Sequence, residues 1–395
     1  MRRDRTGRHV RSIAGSESVG AFVPAPLPPT PALQLTGARQ ALLERATLAL
    51  GRLDSVALLL PDPQLFLYAY VRREAVLSSQ IEGTQSSLSD LLLFELDELP
   101  GVPFDDVVEV SNYVAALEHG MARLREGFPL CNRLLREMHE RLMARGRGSD
   151  KLPGEFRRSQ NWIGGTRPGN AHFVPPPPSE VDACMAALES FLHAGEAGNG
   201  ATAGGELPIL LKAALAHVQF ETIHPFLDGN GRLGRLLIAM LLHDGGVLRQ
   251  PLLYLSLYFK QHRAVYYELL DRVRAEGDWE AWVDFFLEGV EQTAQGAVDT
   301  ARRLVDLFHE DAKRAQAEAG RNASLLRVLD ALRRRPVCSL RQIAASAGIS
   351  FPTASKAMLA LVEMGIAREL TGQRRNRVFV YDAYLGVLSE GGEAL

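Results

Sequence analysis

Most periodic stretches of the chain carry apolar residues at helical spacing, and strand-like runs are confined to residues 160–178 and 367–381. From Leu207 to Glu221, apolar residues at Leu207, Leu211, Ala214, Leu215 and Val218 predict an amphipathic helix that must end by Pro225, because the residue before a proline is driven out of the α region. From Leu233 to Asp244, Leu236, Leu237, Met240 and Leu241 share one face, and Gly245-Gly246 stops the helix. Tyr254 to Leu287 is rich in aromatic residues at helical spacing, most of which are expected in the core. Residues 291–321 read as a polar, alanine-rich helical stretch. Helices then follow at Leu325–Arg334, Leu340–Ala347 and Phe351–Met364, with strands at Ala367–Leu370 and Val378–Tyr381 joined by Thr371 to Arg377.

Length and charge divide this pattern into parts. A chain of 395 residues that is 46% hydrophobic has enough apolar material for two or three domains. Its net charge is −3, yet from Arg321 to Tyr381 eleven Lys and Arg face three Asp and Glu, so the C-terminal part is locally basic. Cys131, Cys184 and Cys338 are odd in number, widely spaced and without metal-ligand pairing, which points to a reducing, cytoplasmic setting. The longest apolar run, Leu236 to Leu242, is far too short to cross a membrane, and no membrane partner is expected. Met1 to Leu35 begins basic, becomes proline-rich between Pro24 and Pro31, and lacks the apolar core of a signal peptide; part of it is expected to be mobile.

The chemistry concentrates in the loop between the two central helices: His224-Pro225-Phe226-Leu227-Asp228-Gly229-Asn230-Gly231-Arg232-Leu233-Gly234-Arg235. Glycine tolerates positive φ and close approach, so the N–H groups of Gly229, Asn230 and Gly231 can converge on an anion at a helix N-terminus. Arg232 and Arg235 lie three apart on the first turn, and guanidinium forks match phosphate oxygens. Asp228 offers a hard oxygen to magnesium, and His224 has the reference pKa of a general base. Two other readings exist: Asp-Gly and Asn-Gly also mark plain turns, and His217, Glu221 and His224 share offsets that suit a metal, though Pro225 disturbs that geometry.

This string resembles the Fic family signature, HPFxDGNGRxGR, at every fixed position. The resemblance implies a mainly α fold, a Fic-type helical core with a short β-hairpin flap. It implies transfer of AMP from ATP, with Mg2+, to a Ser, Thr or Tyr hydroxyl of a target protein. It would make His224 the base, Asp228 the magnesium ligand, and Gly229, Asn230 and Gly231 the anion hole. Arg232 would hold phosphate and Arg235 the terminal phosphate. The Doc-type branch, which resembles a kinase, carries lysine where this chain has Gly231, so glycine favours AMP transfer with pyrophosphate leaving.

Upstream, Ser78-Ser79-Gln80-Ile81-Glu82-Gly83 resembles the family's inhibitory motif [ST]xxxE[GN], placed ahead of the core. Glu82, steadied by Ser78, would then pair with Arg235 where the γ-phosphate belongs; in some relatives the same glutamate serves AMP removal. Gln160 to Pro178, with a turn at Arg167-Pro168-Gly169-Asn170 and a stiff exit at Pro175 to Pro178, resembles the flap that holds a target segment by strand addition; Ile163 and Gly164 are the expected contacts. Arg263 to Tyr267 resembles the segment closing the adenine pocket, which points to Tyr267.

Ser339-Leu340-Arg341-Gln342-Ile343-Ala344, Gly348-Ile349-Ser350 and Thr353-Ala354-Ser355 look like a helix-turn-helix with a wing behind it. Thr353, Ser355 and Lys356 on the recognition helix, with Arg374, Arg375 and Arg377 in the wing, suit DNA; protein contacts are the other use of such domains. The expected layout is a flexible 1–34, an N-terminal helical region with the inhibitory helix at 35–105, a catalytic core at 106–290, a helical linker at 291–320 and a winged helix at 321–395. Expected partners are a target protein, the chain itself as substrate or as homodimer, and DNA. A nucleotide-sensing transcription regulator and transfer of another phosphate-containing group are the rival functions.

Overall fold

The structure, a computed structural model, describes residues 3, 6–59, 63–96, 104–194, 207–319, 323–372 and 376–390. The chain opens with a hairpin, β1 (Gly7–Ala14) and β2 (Glu17–Pro24), paired antiparallel from Gly7↔Pro24 to Ala14↔Glu17. Helices α1 (Ala38–Leu59), α2 (Pro63–Ile81), α3 (Leu88–Phe94), α4 (Phe104–Arg125) and α5 (Asn132–Leu142) follow. After the flap come α6 (Pro178–Leu192), α7 (Ile209–Ile223), α8 (Asn230–Asp244), α9 (Ser256–Gln261), α10 (Arg263–Glu276) and the long α11 (Trp279–Ala319). The C-terminal part runs α12 (Ala323–Arg334), β3 (Val337–Ser339), α13 (Leu340–Ala347), α14 (Phe351–Glu363), β4 (Arg368–Glu369), β5 (Val378–Val380) and α15 (Asp382–Ser389).

The fold is organised around α7. Its sequence reads as amphipathic, but every residue from Ala213 to Ile223 is buried; the polar side chains of His217 and Gln219 are satisfied inside the protein, while Glu221 Oε1 has no hydrogen-bond partner. His217 lies 3.0 Å from the Gly234 carbonyl through Nδ1 and 2.9 Å from the Tyr266 hydroxyl through Nε2, and Gln219 donates to the Ala25 carbonyl at 2.9 Å. With both ring nitrogens engaged, His217 is not available as a metal ligand, which removes the His217–Glu221–His224 metal reading. Around α7 pack α6, α8, α10 and α11; Trp282 of α11 donates its indole N–H to the Ala214 carbonyl at 2.9 Å. Tyr258, Tyr266, Trp279, Trp282, Phe285 and Phe286 are buried, as the aromatic spacing led us to expect.

The N-terminal segment departs from expectation. Instead of being mobile, residues 7–24 form a hairpin against the flap: Phe22 N–H donates to the Val174 carbonyl at 2.9 Å, Ser12 Oγ to Gln160 Oε1 at 2.7 Å, and Arg167 pairs with Glu17 at 2.9 Å. Arg3, almost fully buried, forks onto both oxygens of Glu280 at 2.8 Å. The expected flap hairpin is itself slight. One antiparallel bridge, Ile163↔Phe173, holds it, with a 3-10 turn at Pro168–Asn170, and neither arm forms a strand. Gly164 and Gly165 both have positive φ, which breaks the extended run.

The C-terminal part is a winged helix: α12, α13 and α14 beside a sheet of order β3-β5-β4, with Ser339 and Ser350 capping α13 and α14. It packs onto the second half of α11, where the Tyr381 hydroxyl donates to Asp311 at 2.7 Å, and through α12 and α15 onto α2.

Candidate active site

Two left-handed residues bracket the loop between α7 and α8: His224 (φ 50°, ψ 60°), which caps α7, and Gly229 (φ 77°, ψ 3°), which caps α8. Between them the chain is pinned. Phe226 N–H donates to Asn230 Oδ1 and Asn230 Nδ2 to the Phe226 carbonyl, both at 2.9 Å, so Asn230 closes the loop with its side chain. From α5, His139 stacks on Phe226 with centroids 3.7 Å apart. Its Nδ1 accepts from the Gly154 N–H at 2.9 Å, which leaves the proton on Nε2, 3.0 Å from the Asp228 carbonyl. A side chain at 229 would start 2.9 Å from Met143 Sδ, so glycine is required there by space as well as by φ.

Arg232 is buried at the base of the loop. Its Nη1 lies 2.7 Å from Glu109 Oε1 and its Nη2 3.4 Å from Asp228 Oδ1. Nε and Nη1 have no aligned hydrogen-bond acceptor, so the Glu109 contact is ionic without being a hydrogen bond. Two enclosed donors lacking acceptors fit an oxyanion better than they fit the protein as it stands. Asp228 commits Oδ1 to the Gly229 N–H at 2.6 Å and to Arg232, while its side chain is 36% exposed. That leaves carboxylate oxygen for a magnesium ion shared with phosphates, a use that needs one protein carboxylate rather than a cage. Among the described residues no three His, Cys, Asp or Glu side chains converge as a cage.

Glu82 and Ser78 reach the loop from the end of α2. Arg235 donates from Nη2 to Glu82 Oε1 at 2.7 Å and to the Ser78 carbonyl at 2.9 Å, and from Nε to Ser78 Oγ at 2.8 Å. Burial works against the Glu82 charge, but the Arg235 guanidinium prevails and holds the carboxyl below its usual range. Gly231 makes the room: a Cβ there would lie 2.2 Å from Glu82 Oε1.

His224 is half-buried. Desolvation, then the charges of Arg157 and Arg274, lower its imidazole to about 3, so it stands neutral with a nitrogen free to take a proton. Tyr267 packs against Tyr266 with centroids 5.1 Å apart and under the Arg263 guanidinium, and burial raises its hydroxyl to about 12. Ile163 and Gly164 lie on the flap, which Asn161 ties to the loop by donating to the Phe226 carbonyl at 3.0 Å. The structure thus brings Ser78, Glu82 and all the expected loop residues into one site. Four contributors were not singled out from the sequence: Glu109, His139, Arg157 and Arg274. Each lies outside the motifs, and no spacing rule connects them to the loop.

Residues 40–122 match the Fic/DOC family N-terminal domain and residues 129–242 the Fic/DOC family domain. The two matches follow one another along the chain. The chain is similar to curated proteins named Protein adenylyltransferase Fic: 33% identical over 221 residues in Culex quinquefasciatus and 33% over 217 residues in Aedes aegypti. Each match covers 54% of this chain and 39% of the relative, so the chain spans about two-fifths of the length of these relatives. Among solved structures, the Fic fold recurs in a Fic family protein from Desulfovibrio desulfuricans, with 20% identity, TM-score 0.57, and coverage of 88% of this chain and 97% of that one. A Fic domain containing signaling protein from Bacteroides thetaiotaomicron has 20% identity, TM-score 0.52, and coverage of 65% and 97%. Beyond the Fic core, residues 325–370 match the IclR helix-turn-helix domain. Among the described residues no helix is long and apolar enough to cross a membrane.

Proposed function

We propose that this chain is a protein adenylyltransferase that moves AMP from ATP to a side-chain hydroxyl of a target protein and releases pyrophosphate, with Glu82 restraining the reaction. The observation that carries this is the pairing of a neutral His224 with a buried Arg232 whose Nε and Nη1 lack aligned acceptors, in one loop beside the partly exposed carboxylate of Asp228. The similar proteins named adenylyltransferases support it.

In the reaction, His224 accepts the proton of the target hydroxyl as that oxygen attacks the α-phosphorus. The bond from the α-phosphorus to the bridging oxygen breaks, and pyrophosphate departs with the electron pair. Arg232 and the N–H groups of the loop balance charge on the phosphates, and little covalent work falls to the protein. Magnesium, when bound at Asp228, supplies positive charge to the leaving pyrophosphate. The flap, with Ile163 and Gly164, presents the target segment above His224, and Tyr267 borders the base. Glu82 occupies Arg235, the group assigned to the terminal phosphate, so ATP must displace a carboxylate to seat itself. Gly231 leaves no lysine to favour the kinase-like orientation. The winged helix makes DNA a second partner.

The test is incubation of the full chain and of His224→Ala with magnesium and ATP labelled on the α- or γ-phosphate, read by mass spectrometry of the protein itself and of added proteins. Label from the α-position alone, absent in His224→Ala, is the expected result. Label from the γ-position would make this a kinase, and label from neither would favour a nucleotide-sensing regulator.

A further inference from the structure

Arg157 belongs to no motif. It lies on the segment joining α5 to the flap, is 2% exposed, and directs its side chain at backbone near the loop. Nε donates to the His224 carbonyl at 2.9 Å, Nη2 to the carbonyls of Pro176 at 2.5 Å and Ile223 at 3.3 Å, and Nη1 to Ser159 at 3.4 Å. The Arg157 amide donates to the Pro225 carbonyl at 2.9 Å. None of these partners is a carboxylate, and burial lowers the guanidinium to about 10. Keeping an uncompensated cation inside a protein is unfavourable unless its hydrogen bonds are well made. Here those bonds join three things that the reaction needs in register: the last turn of α7, the entry to the loop and the exit of the flap.

His224 has the most to lose from any slack. With φ at 50° it occupies a region that costs a residue with a side chain about 1–3 kcal/mol and persists only where the surroundings over-determine it. Its carbonyl is held by the Arg157 Nε, and the next carbonyl by the Arg157 amide. The same guanidinium grips Pro176, where the flap returns to the core.

We propose that Arg157 is a positioning residue for AMP transfer, a single guanidinium that sets the His224 backbone and the flap exit in fixed relation. Lysine has one ammonium and no planar fork, so it cannot replace this set of contacts. Charge follows from the same placement. The groups that act on the imidazole are Arg157 and Arg274 as cations, Glu82 as a carboxylate and the Glu221 carbonyl; burial, aided by the two arginines, prevails and the ring stays neutral.

The kinetic part of this inference rests on the transferase reading; the spectroscopic part does not. The experiment uses the full chain carrying Glu82→Gly, with Arg157→Lys or Arg157→Gln added, and follows the histidine rings by NMR between about pH 5 and 8, with His224→Ala to assign the signal. The Gln variant should raise the His224 titration, so that protonation begins at the acid end of that window with burial and Arg274 still holding it down, whereas the parent stays neutral throughout. The Lys variant keeps the charge and should keep the titration low, yet its kcat for α-phosphate transfer should fall tenfold or more with little change in KM for ATP. Melting midpoints show that each variant is folded; where the Gln variant is not, the Lys variant decides by kcat. A folded Lys variant with undiminished kcat, or a folded Gln variant whose His224 titration does not move, overturns the proposal. If the parent transfers no AMP but the titration moves as expected, the transferase reading has failed and the placement of Arg157 has not.

Discussion

Replacing Glu82 by glycine removes the one carboxylate that the described residues place on Arg235. The pair is 2.7 Å long; the Arg235 side chain is 2% exposed and that of Glu82 31%, so the contact is shielded mainly on the arginine side. A hydrogen bond involving charged groups in such a setting contributes about 1.5–3 kcal/mol. If the terminal phosphate of ATP needs the same guanidinium, binding must first break this contact, and removing it should tighten ATP binding by roughly 10- to 150-fold at 1.4 kcal/mol per decade. Glu82→Gln, which keeps the size and discards the charge, should fall between glycine and wild type. Binding is read by calorimetry with a non-hydrolysable ATP analogue, and turnover by self-labelling from α-labelled ATP. The geometry also sets a control: because Ser78 touches Arg235 through both Oγ and its carbonyl, Ser78→Ala removes only one bond of the set and should shift binding by less than Glu82→Gly. An affinity for the analogue within twofold of wild type in Glu82→Gly, with unchanged labelling, would refute the competition argument.

Buried titratable groups predict a pH dependence of stability. Burial lowers His139 to about 4 and His217 and His224 to about 3, from 6.5 in an open chain. Between about 6.5 and 4 the unfolded chain therefore takes up three protons that the folded chain refuses, and stability falls on acidification. Glu74 and Glu221, raised to about 7 by burial, and Glu109, also raised by burial, oppose this with protons bound in the folded chain alone above 4.5. His217→Gln removes one of the three acid-sensitive groups, so between about pH 6.5 and 4 its melting midpoint should fall less than that of wild type; a midpoint that falls as far as wild type's would sink the reasoning. For the winged helix, binding to duplex should weaken steeply between low and physiological salt, and no binding at low salt would remove DNA as a partner.

The loop could be read from the sequence because its chemistry is local: two glycines, an asparagine that closes its own turn, and two arginines one helical turn apart. The α2 contact was legible for a different reason, the resemblance of Ser78 to Gly83 to an inhibitory motif beside the complete loop signature, since the spacing of Ser78 and Glu82 alone says little; in the structure both meet Arg235. What escaped were residues whose role depends on long-range placement. His139 reads as an ordinary helix residue until Phe226, 87 positions later in the chain, stacks on it. Glu109 is one acid among several on α4, and only the fold sets it against Arg232. The N-terminal hairpin was masked by composition: basic and proline-rich residues suggested mobility, although Val19, Ala21 and Val23 alternate opposite β1 across a turn at Gly15. At the flap the turn and its pairing were legible, and the glycine pair at 164 and 165 limits that pairing to one bridge.

The helix α11 begins under the aromatic core beside the active site and ends at the winged helix, 41 residues without interruption. At 1.5 Å per residue it is about 60 Å long, a rod where a flexible connection would have been a tether. A tethered domain samples many directions, whereas a rod fixes one. Each residue added to or removed from the middle of α11 would turn the winged helix about 100° around the helix axis, so register along this rod is a matter of phase as much as of length. Two inserted turns, about seven residues, would restore the face and change only the span; a single inserted residue would swing the recognition helix to another side of the molecule and tear it from α2. The orientation of whatever the winged helix grips, relative to the active site, is therefore written in a residue count.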